Sequence, residues 1–150
     1  MKKSFLILIL FLTSCGYQAI NKINDSNFII SEYKLSGNQR VNKILKRSFD
    51  NLKNNNNFKN EFEVIVESKL DISNNSKNQA GEVTNLNLNI SVDLEVFQDD
   101  KKIKRISLSE STNYNNDDNK FELKQFEKIL TKDLVNKILR KINLNLSSIK

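Results

Sequence analysis

The sequence predicts an α+β two-layer sandwich: a four-stranded, mostly antiparallel sheet with two helices on one of its faces, in the order β-α-β-β-β-α. Three observations carry this. Leu86, Leu88, Ile90, Val92, Leu94 and Val96 alternate with Asn87, Asn89, Ser91, Asp93 and Glu95, the period of two that a strand with one wet face requires. Leu123, Phe126, Leu130, Leu134, Ile138 and Ile142 recur at helical spacing and mark one apolar stripe on a long helix. Every other periodic segment also has a single apolar side, and one helical layer on one sheet face is the simplest arrangement that buries them all.

The elements follow in order. Residues 28–35 are rich in aromatic and β-branched types (Phe28, Ile29, Ile30, Tyr33) and read as a strand. Ser36-Gly37-Asn38 ends it, with Asn38 placed to cap a helix over 39–53 whose Val41, Ile44, Leu45, Phe49 and Leu52 share a face. Asn54 to Asn57 form a polar stop. In 61–72, Phe62, Val64, Val66, Leu70 and Ile72 fall on one face and Glu61, Glu63, Glu67, Lys69 and Asp71 on the other, a half-buried strand. Residues 73–81 read as a polar loop. The long alternating strand then spans 83–97. Gln98 to Lys101 turn the chain, and 103–114 return with Ile106, Leu108, Glu110 and Thr112 in phase. The last helix is expected over 120–143, its stripe widened by Ile129, Val135 and Leu139. Asn119 is its cap, with Glu122 at capping-box spacing. Residues 28–150 read as one domain, with no internal repeat.

The N-terminus has a different character. Lys2 and Lys3 precede an apolar run from Phe5 to Leu12, too short to span a bilayer but of the length of a signal-peptide core. Leu12-Thr13-Ser14-Cys15 follows and resembles the lipobox of bacterial lipoproteins. Small residues before the cysteine admit a peptidase, and the Cys15 thiol is the acceptor for a diacylglyceryl group. The expectation is a cleaved leader over 1–14 and a lipidated polar tether over 15–27, with Ile20 and Ile23 as its candidates for packing. Two or more acyl chains anchor a protein stably. Loss of Lys2 and Lys3 lowers the formal charge from +6 to +4. Gly16 rather than Asp follows the cysteine, which resembles an outer-membrane address and places the chain on the periplasmic face of that membrane.

Composition narrows the chemistry. The chain has no histidine and one cysteine, which removes the usual general base near neutral pH and the usual metal ligands. With three glycines it has no Gly-rich phosphate loop and no cofactor motif. Asp99-Asp100 and Asp117-Asp118 fall in turns, where aspartate is favoured for backbone reasons. The expectation is a non-enzymatic protein with no metal or cofactor. The positive charge suits an anionic partner. Nucleic acid fits poorly, because no aromatic interleaves with the basic residues.

Two basic groupings stand out. Lys101, Lys102, Lys104 and Arg105 crowd the turn and start of the last hairpin and are the candidate site for lipid phosphates. Arg40, Lys43 and Arg47 share one side of the first helix by their spacing and read as solvated surface in a chain whose lysine and asparagine usage is high throughout.

The start Cys15-Gly16-Tyr17-Gln18, the element order, the stretch LNLNISVDLEVFQDDKKIKRISLSES and the final FEKILTKDLVNKILRKINLN together resemble the LPS-assembly lipoprotein family, LptE. No glycine marks the hairpin turn, where the family pattern commonly has one. The resemblance implies an outer-membrane lipoprotein that plugs the translocon barrel LptD, helps it assemble and binds lipopolysaccharide. Two other readings stay open at this point: an auxiliary lipoprotein of an ABC-type or phospholipid-trafficking complex, and a non-catalytic scaffold lipoprotein.

Overall fold

A computed structural model describes residues 27–53 and 58–149 of the chain. The leader, Cys15 and nearly all of the expected tether lie outside the described residues. The elements are β1 (Phe28–Gly37), α1 (Gln39–Lys53), β2 (Asn60–Lys77), β3 (Val83–Gln98), β4 (Lys101–Asn115) and α2 (Lys120–Ser147). The α+β order read from the sequence is the order observed.

The strands lie in the order β1-β2-β3-β4. β1 pairs parallel to β2 across the α1 crossover, and the other two pairings are antiparallel. α1 lies over β1 and β2, and α2 over β4 and β3. Phe28, Phe62, Leu88, Ile90 and Leu94 of the sheet meet Leu45 and Phe49 of α1 and Leu134, Ile138 and Ile142 of α2 in one core. Burying this many large apolar side chains at about 1.5–3 kcal/mol each dominates the stability.

The junction of β1 and α1 is built tightly. Gly37 has φ +92°, and a Cβ there would fall 1.9 Å from the Ser68 carbonyl oxygen, so only glycine fits. Ser68 is buried beneath it, accepting from the Asn38 N–H (3.1 Å) and donating to Asn42 Oδ1 (2.7 Å). Asn38 Oδ1 caps α1 by accepting from the N–H groups of Arg40 and Val41.

Five sequence expectations change. Residues 73–77 remain in β2, paired with β3, rather than forming a loop; both faces are wet there, so no apolar period exists to read. The loop contracts to the stretch around Gly81 (φ +85°), where Asn78 Oδ1 accepts from the N–H groups of Ala80 and Glu82. β4 starts at Lys101 because Asp99 and Asp100 (φ +50° and +60°) make a two-residue turn, a conformation aspartate tolerates without glycine. α2 continues to Ser147, where fully buried Leu146 holds the last turn. Phe126 and Ile129 are exposed rather than core: with the end of β4 they line an open groove, where the Phe126 ring meets Tyr114 edge-on at 6.1 Å. The capping box of α2 is half formed. Asn119 Oδ1 accepts from the N–H groups of Phe121 and Glu122, while its own N–H goes to Asp117 Oδ1 (2.7 Å).

Candidate functional site

Strand alternation divides the hairpin cations between two faces. Lys104 pairs with buried Val96 and so belongs to the helix side of the sheet. Arg105 pairs with Glu95 on the open side, and a register shift at Val96/Phe97 puts Lys102 on that side too. Lys102 Nζ lies 2.6 Å from Glu95 Oε1. That hydrogen bond, with the charges of Lys102 and Arg105, holds the Glu95 carboxyl below its ordinary value against a small desolvation cost. Lys101 stands opposite Gln98. Beside the turn is a groove of about 260 Å³ lined by Glu61, Glu63, Asp99 and Asp100. Lys102 and Arg105 therefore gather around the Glu95 carboxylate, while Lys101, opposite Gln98, and Lys104, opposite Val96, belong to the other face. Their position at the start of an edge strand also guards it against pairing with other chains.

The first helix behaves differently. Arg40, Lys43 and Arg47 do share a face, and they form one wall of a groove of about 510 Å³ whose other wall carries Lys128 and Lys132 of α2. Ile44 and Leu139 contribute apolar surface, and Ser48, Asn51 and Asn136 contribute neutral polar groups. No carboxylate lines this groove, and among the described residues none of the five cations forms an ion pair. Lys128 Nζ donates only to neutral Gln125 Oε1 (3.3 Å). The nearby Asp50 is already engaged by the Tyr33 hydroxyl and Lys46 (3.6 Å), and the Tyr33 hydrogen bond is the main cause of its lowered pKa.

Lys128 and Lys132 were not singled out from the sequence. Their spacing of four residues, continued by Asn136, is a helical stripe like that of Arg40, Lys43 and Arg47. The two stripes face each other only because both helices lie on one sheet in one direction: the C-terminal halves of α1 and α2 line a common cavity.

The open face of β3 and β4 is a polar ladder. Asn85 donates to Asn115 Oδ1 (3.3 Å), Asn87 to Asn113 Oδ1 (2.6 Å), Ser109 to Asn89 Oδ1 (2.9 Å) and Ser107 to Asp93 Oδ1 (2.5 Å). On the helix side, Tyr114 donates to Glu127 Oε1 (2.8 Å), and Lys141 meets Glu110 at 2.5 Å, tying β4 to α2. Burial, with Glu127 as acceptor, pushes the Tyr114 hydroxyl pKa well up. Among the described residues no cluster of three or more acidic, histidine or cysteine side chains is placed to hold a metal ion, and no helix is long and apolar enough to cross a membrane.

No protein-family model matches the chain, and no curated protein matches its sequence. Among solved structures, the chain is similar to a minor lipoprotein from Acinetobacter baumannii, at 18% identity and a TM-score of 0.50, over 79% of this chain and 94% of that one. It also aligns with the rare lipoprotein B from Shewanella oneidensis (17% identity, TM-score 0.49, 77% and 98% covered) and with lipoprotein B from Nitrosomonas europaea (15%, 0.49, 82% and 89%). The likeness to the Acinetobacter protein is one of fold.

Proposed function

We propose that this chain is an outer-membrane lipoprotein, anchored through Cys15 on the periplasmic face, that seats in the lipopolysaccharide translocon barrel LptD and assists its assembly. The observation that carries this reading is the uncovered sheet face. A small two-layer domain that leaves a ladder of asparagine and serine open on one side is matched to a polar surround, and the interior of a large outer-membrane barrel is polar. The lipobox at Cys15 and a fold shared with a minor lipoprotein of Acinetobacter baumannii support it. Within this reading, Lys101, Lys102 and Arg105 contact lipopolysaccharide phosphates, Lys102 and Arg105 more weakly than free charges would because Glu95 offsets them.

The test is affinity purification of the tagged full-length protein from its native envelope in mild detergent. A large outer-membrane barrel in stoichiometric amount is the expected result; an inner-membrane transporter, or no partner, overturns the reading. A Cys15→Ser variant should lose acylation, read by mass spectrometry of the intact protein. Changing Lys101, Lys102, Lys104 and Arg105 to glutamine should reduce lipopolysaccharide binding and flatten its salt dependence.

A further inference from the structure

The seam between α1 and α2 has two parts. One is the groove walled by Arg40, Lys43, Arg47, Lys128 and Lys132. The other is a cavity of about 220 Å³ lined largely by Phe28, Phe49, Leu52, Ile142 and Leu144. Ser48 and Leu139 line both, so the cationic groove and the apolar cavity adjoin. We propose that this seam binds a phosphorylated amphiphile, its phosphoryl group among the five cations and a hydrocarbon chain in the cavity. The inference depends neither on the barrel partnership nor on acylation of Cys15.

The charge pattern is the first argument. Five like charges gathered along one groove repel one another, and none of them belongs to the ion pairs Lys46–Asp50, Lys69–Glu67, Lys102–Glu95 and Lys141–Glu110 found among the described residues. The groove concentrates cations with no carboxylate in its lining, which makes it a focus of positive potential. High lysine usage does not explain it, because two of the four arginines in the whole chain are here. A guanidinium matches phosphate oxygens through two parallel N–H donors. Ser48, Asn51 and Asn136 add neutral donors beside them.

The lining also limits what the ligand is. No aromatic side chain lines the cationic groove, so a nucleotide base finds nothing to stack on. A simple inorganic anion leaves the adjoining apolar cavity unused, whereas a chain attached to the phosphoryl group fills it. Asn143 Oδ1, which among the described residues is the one buried side-chain polar atom without a hydrogen-bond partner, belongs to a residue lining that cavity.

The full-length chain, purified in a neutral detergent, is titrated calorimetrically at low salt with three probes: dihexanoyl phosphatidic acid, dihexanoyl phosphatidylcholine and inorganic pyrophosphate. Phosphatidic acid is expected to bind about tenfold more tightly than either of the others and to weaken as salt is raised. Replacing Arg40, Lys43, Arg47, Lys128 and Lys132 by glutamine should reduce that affinity by about tenfold or more. If this variant loses its cooperative thermal transition, Arg40→Gln with Arg47→Gln, both at exposed positions, serves instead. Ser147→Trp, at an exposed residue of the cavity lining, should weaken phosphatidic acid and leave pyrophosphate unchanged. Equal binding of phosphatidylcholine, or no effect of removing the cations, would overturn the phosphoryl assignment. Pyrophosphate binding as tightly as phosphatidic acid would overturn the amphiphile and leave a free phosphate as the ligand.

Discussion

The turn of the last hairpin and the interhelical groove are two basic regions among the described residues. In the hairpin, Lys101, Lys102, Lys104 and Arg105 are close neighbours in the chain, yet the pleat splits them between two faces, and Lys102 and Arg105 are offset by Glu95. In the groove, Arg40 and Lys132 belong to the first and last helices, yet they line one space with no carboxylate in its walls. Density of charge along a sequence is therefore a poor guide to density in space. On a strand, neighbours diverge. On two helices laid on one sheet, stripes from distant segments converge.

That comparison rests on α1 and α2 keeping their places, and the largest effects come from loosening them. Ile138 is fully buried between α2 and the sheet. Ile138→Ala should cost about 2–5 kcal/mol in urea denaturation and abolish anion binding in the groove under conditions that leave the parent folded. Gly37→Ala acts at the other helix. It forces a Cβ against the Ser68 backbone at a positive φ, and a loss of about 2–3 kcal/mol is expected. If the midpoint does not move, the tight β1–α1 junction that aims Arg40, Lys43 and Arg47 is wrong.

A smaller effect tests the tie between β4 and α2. The Glu110 side chain is 18% exposed and its partner Lys141 is 51% exposed, so the pair is only half in water. Glu110→Gln should cost about 1 kcal/mol. A double-mutant cycle with Lys141→Gln separates the pair from the packing of Glu110 itself.

Glu110 also shows what could be read beforehand. Its in-phase position on the apolar side of β4 was legible from alternation, but its partner on α2 was not, because nothing local in a sequence says which helix turn lies over which strand residue. The same holds for the site. Asn38 and Asn119 as caps, the one-sided helices and the α+β order follow from spacing and local hydrogen bonding. The extension of β2 through residues 73–77 escaped notice because a strand wet on both faces has no apolar period. Phe126 and Ile129 fitted the helical stripe and are exposed, lining an open groove with the end of β4. The groove lay one step further: one wall was visible as Arg40, Lys43 and Arg47, while Lys128 and Lys132 became its second wall only through packing.

The subtlest expected effect separates the two regions by pH. Glu95 is the carboxyl that makes the hairpin unlike the groove. Its pKa is lowered chiefly by the Lys102 hydrogen bond, with smaller charge effects from Lys102 and Arg105. A depressed carboxyl stabilises the folded chain at pH above its ordinary value and loses that contribution as pH falls through the lowered one. A carboxyl carbon NMR titration should therefore place the Glu95 midpoint below 4.5, and Lys102→Gln should bring it back toward that value. Above this midpoint the hairpin carries its internal counter-charge; below it, Lys102 and Arg105 are released from Glu95. Affinity of the hairpin for an anion that keeps its own charge should then rise as pH falls through the Glu95 midpoint, while the groove, which has no lining carboxylate, should not follow it. An anion affinity that tracks Glu95 assigns the binding to the hairpin, and one indifferent to Glu95 assigns it to the helices.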